Sequence, residues 1–246
     1  MTTRTRKMRA SPAWMPLEEL ERLISSVDVF EQLPPGEVRE LASGASLDRL
    51  EVRETMAVGP REHARRVILL LEGRARLYEP GSRDRKFTVS VAEAGTVAGV
   101  AGLSERSRGL RVEALIPSVF CLVAWEAFEG VVVRNPEAGL RLLRILADRI
   151  GVLEERLADL AYREVPARLA GAILRLTEGE GLMCRDGARL PTPYTHRQLA
   201  SMIGANREAT TRALGKLRKR GVVEVRERRI HVADLEALNR AADQAS

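Results

Sequence analysis

The chain has 246 residues, of which 45% are hydrophobic and 30% are charged, with a formal net charge of +6. This length accommodates one large domain or two smaller ones, each with a buried core. No apolar run approaches the roughly 18 residues of a membrane span, and the basic N-terminus leads into no secretory-type apolar stretch. We therefore expect a cytoplasmic protein with no membrane partner. Its two cysteines, Cys121 and Cys184, supply neither a disulfide framework nor a metal site, so no metal or other cofactor is expected.

Two short amphipathic helices are predicted first, in LEELERLISSV and in PPGEVRELASGA. From about Leu50 to Val133, short β-rich runs are separated by turn residues. Strands at such close spacing favour an antiparallel sandwich or barrel over a doubly wound sheet. Cys121 lies in the run SVFCLVAW, where a buried small hydrophobe is expected, and Cys184 is predicted in a polar loop.

A long helix is predicted next. Asn135 is suited to cap it and Pro136 to occupy its first position. Its apolar residues are spaced 3, 4, 3, 4 and 3 apart, and they are Leu143, Leu146, Ile150, Leu153, Leu157 and Leu160. This a/d seam is the pattern by which two helices supercoil, so it predicts a homodimer. The alternative is that the seam packs on the chain's own β-domain. Pro166 ends this helix or begins the next one and marks a domain boundary.

The following stretch predicts a winged helix-turn-helix. Its first helix opens with a capping box formed by Thr195 and Gln198, and Gly204 makes the turn. A second helix begins near Asn206 and ends at Gly221. The run VVEVRERRIHV then reads as a two-stranded hairpin. Three residues of the second helix are predicted to face inward, namely Thr210, Leu214 and Leu217.

Positive charge is concentrated in this same stretch. Residues 194–229 contain ten basic and three acidic residues, a net of +7, whereas the rest of the chain holds 30 basic and 31 acidic residues. A helix kept soluble by arginines would instead spread the excess along the chain. The asymmetry indicates a polyanionic partner for this segment alone.

The outward face of the second helix carries candidate base-reading residues. Recognition helices enter the major groove by their N-terminal residues, where Arg bonds guanine and Glu accepts from the cytosine amino group. The predicted base-reading residues are Arg207, Glu208 and Arg212. Residues placed to contact the phosphate backbone are Thr195, Arg197, Thr211, Lys216, Lys219 and Arg228.

The stretch YTHRQLASMIGANREATTRALGKLRKRGVVEVRERRIHV resembles the helix-turn-helix of the CRP/FNR transcription regulators. Their recognition helix begins with Arg-Glu and then Arg four residues after the Glu, which Arg207, Glu208 and Arg212 match. The resemblance covers about residues 25–240. It implies double-stranded DNA with pseudo-palindromic half-sites resembling TGTG, and RNA polymerase as a further partner.

The resemblance also implies an α+β organisation in four parts. An N-terminal extension (residues 1–25) precedes an antiparallel β-roll like that of cyclic-nucleotide-binding domains (26–134). A dimerisation helix (135–165) and a winged helix-turn-helix domain (166–246) follow.

Departures from the family concern its ligand loop. In members that bind cyclic AMP, a loop like FGE-x-x-L, followed by Arg-Ser/Thr-Ala, cradles the nucleotide. The corresponding stretch AGVAGLSERSRGLRVEAL keeps Gly99 and Leu103, and Arg108 stands for the phosphate-binding arginine. Val100 replaces the ribose-binding Glu and Gly109 replaces the Ser/Thr. Since a valine accepts no hydrogen bond, we expect a degenerate pocket, with this stretch forming only a tight turn of the β-roll.

Other functions have weaker support. An enzyme acting on nucleic acid would need clustered carboxylates or a nucleophile–base pair, and the β-roll sequence offers neither. A regulatory module without a DNA role conflicts with the +7 segment. The sequence thus predicts a homodimeric, sequence-specific transcription regulator that is not an enzyme and is independent of cyclic AMP. The alternative is a regulator that responds to a cyclic nucleotide or another small ligand.

Overall fold

A computed structural model describes residues 15–57, 66–81, 86–101 and 110–243. The chain forms two compact units, Met1–Asp84 with Val89–Arg149, and Arg85–Thr88 with Ile150–Ser246. Among the described residues, no helix combines the length and the apolar character that crossing a membrane requires.

The described residues of the N-terminal part form short helices and eight strands, the fifth of which begins in the segment grouped with the second unit. The elements of this N-terminal part, in chain order, are α1 (Leu17–Ser25), α2 (Pro35–Ser43), β1 (Ser46–Leu50), β2 (Thr55–Ala57), β3 (Arg66–Glu72), β4 (Arg74–Pro80), β5 (Lys86–Glu93), β6 (Thr96–Ala101), β7 (Arg111–Ala114), β8 (Ser118–Ala124) and α3 (Trp125–Arg134). The strands form two four-stranded sheets, ordered β1-β8-β3-β6 and β2-β7-β4-β5. The pairs β1–β8, β3–β8, β3–β6, β2–β7 and β4–β7 are antiparallel, so the predicted antiparallel β-roll is confirmed.

Strand periodicity creates two apolar layers around the first sheet. Ile68 and Leu70 belong to one buried cluster together with Leu77 of the second sheet. Val67 and Leu69 alternate with them and point to the opposite face, because successive side chains of a strand alternate. That face is covered by the helices, including α1, whose Leu20, Leu23 and Ile24 are buried there. The last residues of the stretch assigned to an N-terminal extension therefore belong to this core.

Helix α3 corrects the sequence prediction, which extended the β-rich region to Val133. Residues 125–134 are helical, and the Phe128 and Val131 side chains, three positions apart, are buried in the layer beneath the helices. The Phe128 ring lies 5.9 Å from the Phe30 ring in an edge-on arrangement. The run of valines suggested a strand, but a helix places Val133, which is 74% exposed, on its outer side.

The long helix α4 (Pro136–Tyr162) has 27 residues and two distinct apolar stripes. Ala138, Leu142 and Ile145 pack against the β-roll core. The predicted seam residues lie on another face, and all six are exposed, from 36% to 66%: Leu143, Leu146, Ile150, Leu153, Leu157 and Leu160. The two seam residues that belong to the first unit, Leu143 and Leu146, are therefore not buried against the β-roll.

The Asn135 side chain was predicted to cap the start of α4, but it bonds to the preceding helix instead. Its amide Nδ2 donates to the Val131 carbonyl at 2.9 Å, which satisfies a carbonyl in the last turn of α3. The same residue follows one helix and precedes another, and its side chain serves the first.

The second unit contains helices and one sheet. Its further elements are α5 (Val165–Glu180), β9 (Leu182–Cys184), β10 (Gly187–Arg189), α6 (His196–Met202), α7 (Arg207–Lys219), β11 (Val223–Arg226), β12 (Arg229–Val232) and α8 (Leu235–Ala242). The sheet has four strands in the order β11-β12-β10-β9, whereas the sequence predicted only the β11–β12 hairpin. Leu169, Ile173 and Leu199 are fully buried within this unit.

The two cysteines differ in environment. Cys121 is fully buried on β8, as predicted, and burial raises the pKa of its thiol to about 12. Cys184 is exposed, but it ends the edge strand β9 instead of lying in a loop.

Candidate DNA interface

Helix α6 is fixed at its start by the predicted capping box. The Thr195 hydroxyl accepts the Gln198 amide hydrogen at 3.2 Å, and the Gln198 side-chain oxygen accepts from the Thr195 amide at 2.8 Å. These reciprocal bonds satisfy two amides that a helix start leaves unpaired. Gln198 is itself buried, so α6 begins at a defined position.

The turn between α6 and α7 needs glycine at position 204. Gly204 has φ +61, which L-residues with a side chain disfavour. A Cβ there would also lie 2.8 Å from Leu160 Cδ2. Two residues later, the Asn206 side chain accepts the Ala209 amide at 2.7 Å and caps α7.

Helix α7 has one buried and one exposed face. Thr210, Leu214 and Leu217 are at most 3% exposed, which confirms the predicted inner face. Arg207, Glu208 and Arg212 are exposed in the first two turns. Their side chains make no hydrogen bond or ion pair with any other described residue. Two donors, Arg207 and Arg212, and one acceptor, Glu208, are thus available at the N-terminal end of one helix.

A side-chain contact joins the two helices of the motif. His196 Nδ1 and Thr211 Oγ1 are 2.8 Å apart. The Thr211 hydroxyl donates to the Arg207 carbonyl at 2.9 Å, so we assign the hydrogen of the first contact to His196. The hydroxyls of Thr195 and Thr211, both predicted backbone contacts, are therefore already used inside the protein.

The other predicted backbone contacts are free. Arg197, Lys216, Lys219 and Arg228 are exposed, and within the described residues their side chains bond to no other group. Arg197 lies on α6, Lys216 and Lys219 lie at the far end of α7, and Arg228 lies in the β11–β12 turn.

The β11–β12 hairpin forms a wing with an unusual tip. Glu227 and Arg228 connect the paired residues Arg226 and Arg229, and they have φ values of 50 and 63. Two-residue turns with both φ values positive normally use Asn-Gly, since other residues are strained there. Arg226 is held by Glu224 at 2.7 Å and by Asp186 at 3.1 Å. Arg228 is thus the free cation at a strained tip.

The variant Glu227→Asn, Arg228→Gly is expected to be more stable and to bind DNA less well. Relief of the two positive φ angles should raise the free energy of unfolding by about 1–2 kcal/mol, measured by chemical denaturation. Loss of the Arg228 charge should reduce the salt slope of DNA binding by about 1. Glu227→Asn alone is the control and should retain the wild-type salt slope. A double variant with unchanged slope would mean that Arg228 does not contact phosphate.

Strand β6 contains the start of the stretch compared with the nucleotide-binding loop. Gly99 pairs with Ile68 and Val100 pairs with Val67, so residues 98–101 form a strand and the predicted tight turn is wrong there. Ladder pairing with β3 sets this conformation. Leu103, Arg108 and Gly109 lie outside the described residues.

Helix α4 is hydrogen-bonded to the same strand just before Gly99. The Arg149 guanidinium donates to the Val97 carbonyl, where a register shift interrupts the β3–β6 pairing. The Asp28 carboxylate lies nearby. Burial raises the pKa of Asp28. The Val29 and Val97 amides and the Arg149 charge act in the opposite direction but do not cancel this rise. Burial likewise lowers the pKa of Arg149. β6 is therefore tied to α4 by the protein's own side chains.

Known proteins resemble both the sequence and the fold. The sequence profile of the Crp-like helix-turn-helix domain matches residues 167–241. The Global nitrogen regulator of Nostoc sp. strain PCC 7120 is 29% identical over 199 residues, which cover 79% of this chain and 89% of that protein. A structure of a CRP-family transcriptional regulator from Thermus thermophilus has a TM-score of 0.66 and 26% identity, over 80% of this chain and 97% of that one. The chain is a CRP/FNR-type transcription regulator.

A further relative concerns the ligand. The CRP-like cAMP-activated global transcriptional regulator of Mycobacterium tuberculosis is 31% identical over 117 residues, which cover 48% of this chain and 52% of that protein.

The winged domain of the present chain, a CRP/FNR-type regulator, brings the predicted base-reading residues together at one end of α7. The interactions that sequence reasoning missed are between distant residues, such as Arg226 with Asp186, for which no local pattern exists.

Proposed function

We propose that this regulator is a homodimer that binds a pseudo-palindromic operator and needs no cyclic AMP. The observation that carries the DNA-reading part is the set of unbonded polar side chains at the start of α7: Arg207, Glu208 and Arg212. Residues 26–134 would serve as a sensor-like domain, 135–165 as the dimerisation helix and 166–246 as the DNA-binding domain.

The exposed seam on α4 supports the homodimer. Its six residues follow a/d spacing, so they form one continuous stripe. Apolar residues such as Leu143 and Leu157, which are 63% and 66% exposed, lose their water contact only if another surface covers them. A second copy of the same helix matches this stripe by symmetry.

Two copies of α7 would then read two half-sites about one helical turn apart. The match of Arg207, Glu208 and Arg212 to the family pattern supports half-sites resembling TGTG. Phosphate contacts are proposed for Arg197, Lys216, Lys219 and Arg228, because these cations are exposed and bond to no other side chain or backbone group in the described ranges. Thr195 and Thr211 are weaker candidates, since their hydroxyls already serve the capping box and the His196 contact.

Independence from cyclic AMP rests on position 100. A valine in place of a carboxylate removes a charge-assisted hydrogen bond, worth ~1.5–3 kcal/mol. It also leaves a ribose hydroxyl buried without a partner, which costs ~1–3 kcal/mol. Together these effects weaken binding by about two orders of magnitude or more. The Arg149 contact to Val97 additionally holds β6 to α4 through protein groups alone.

Operator titration tests this proposal. The operator is first selected from a random DNA pool with the purified protein. Its affinity is then measured with and without millimolar cyclic AMP or cyclic GMP. We expect a change well below tenfold, because a ligand shifts a protein only through differential affinity for its two states. A tenfold gain would favour the alternative, a nucleotide-responsive regulator, in which groups other than a residue-100 carboxylate bind the nucleotide.

In this proposal the protein acts by binding DNA and does not catalyse a reaction. Contact with chromosomal DNA implies a cytoplasmic location, and control of transcription implies RNA polymerase as a partner on the promoter.

A further inference from the structure

A small cavity in the second unit is lined mainly by arginines. It lies where the end of α4 meets α5 and the end of α6, and its volume is about 10 Å³. Apolar walls come from Leu160 and Ile203. Its charged lining consists of three guanidinium groups and one carboxylate: Arg156, Arg168, Arg175 and Asp159.

The single carboxylate is already shared. Asp159 Oδ1 lies 3.1 Å from Arg163 Nη1, and Asp159 Oδ2 lies 3.7 Å from Arg175 Nη1. Asp159 is only 8% exposed. Its single negative charge faces three guanidinium groups of the lining, so the lining keeps an excess of positive charge. One of these groups, that of Arg156, also donates to the Thr88 carbonyl at 3.4 Å.

Arg168 has an unused donor at this cavity. Its Nε atom is buried and has no hydrogen-bond partner, and its guanidinium forms no ion pair within the described part of the chain. Arg168 as a whole is half-buried, and a buried donor such as its Nε–H is unfavourable without an acceptor.

The cations also repel one another. Burial lowers the pKa of Arg156, and the positive charge of Arg175 lowers it further, while Asp159 acts in the opposite direction. Since like charges face each other in a partly dehydrated space, a negative species between them would be stabilised by both.

We propose that this cavity binds a small monatomic anion, chloride in solution, held by the guanidinium groups of Arg156, Arg168 and Arg175. The size selects the ligand class, because about 10 Å³ is room for one particle of roughly the size of water. The Arg168 Nε–H supplies a donor that no group of the described residues uses.

The anion would act as a structural ligand of the second unit. It would join the last turns of α4 to α5, which carry Asp159 and Arg168, next to Ile203 at the end of α6. A ligand that binds only the folded state raises stability with its concentration. This inference does not rest on the proposed function.

Calorimetric unfolding of the full-length protein without DNA tests it. Sodium chloride is compared with sodium gluconate at constant ionic strength, so that general screening is equal. We expect chloride to raise the Tm by about 3–6 °C at ten times its Kd, and to continue raising it with the logarithm of its concentration. Arg168→Gln should abolish the difference between the salts. Arg185→Gln, which removes the same charge from an exposed position of the unit, should preserve it.

Anomalous scattering from crystals of the wild-type protein grown in sodium bromide gives an independent result. A bromide peak within contact of Arg168 and Arg175 is expected, and this measurement stands even if Arg168→Gln fails to fold. Three results would overturn the site: no chloride-specific rise in the wild type, an equal rise in Arg168→Gln, or bromide peaks only elsewhere.

Discussion

The double variant Ile150→Glu, Leu153→Glu is expected to be a monomer with at least a hundredfold lower operator affinity. These residues lie at the middle of the α4 seam and are 56% and 36% exposed in the single chain. Charging them would bury four carboxylates in a symmetric helix pair, which is strongly unfavourable. Loss of the second half-site contact then removes about 10²–10⁴ in affinity, since the two contacts no longer act together. Light scattering gives the mass and fluorescence anisotropy the affinity.

The same double variant should fold, because its side chains are exposed in each protomer. Val152→Glu, Ala158→Glu is the matched control. It adds the same charge to exposed positions of α4 that are off the seam, so it should remain dimeric and bind DNA with wild-type affinity. If the seam variant stays dimeric, another surface holds the two copies together.

Glu208→Ala is expected to relax discrimination at one base pair of each half-site. If Glu208 accepts from a cytosine amino group, its removal lowers the penalty for the wrong base by ~1–3 kcal/mol, which is about 5–150-fold. The effect is measured by competition between the selected operator and a duplex altered at one position in one half-site. Because the side chain is exposed, its removal disturbs no hydrogen bond or ion pair among the described residues.

Lys219→Ala is the control for this substitution. Lys219 lies at the far end of the same helix, so its loss should weaken all duplexes alike and reduce the salt slope by about 1. If both substitutions change all sequences equally, α7 does not read bases through Glu208.

The helix-turn-helix was predictable because its signals are local. The Thr195 cap, the Gly204 turn and the Thr210–Leu214–Leu217 stripe each lie within a few residues of one another, and all are present. The proposed base-reading residues follow from the same local pattern, because the buried stripe fixes which side chains face outward.

Elements defined by distant contacts were not predictable in this way. The β9–β10 hairpin acquires its place by pairing with β12, whose residues are more than 40 positions away. Val131 to Val133 favour β-structure locally and predict a strand where α3 lies, whereas burial of Phe128 against Phe30 favours the helix. The conformation of residues 98–101 depends similarly on the ladder with β3.

The different environments of the two cysteines allow one of them, Cys184, to be labelled selectively. Cys121 is shielded and its thiol pKa is raised to about 12, so it forms little thiolate at neutral pH and is out of reach of reagents. Cys184 is exposed at the edge strand of the winged domain. A thiol-reactive dye therefore attaches at one place per protomer without any engineered residue. In a homodimer, donor and acceptor dyes at the two copies of Cys184 convert the separation of the DNA-reading domains into an energy-transfer signal.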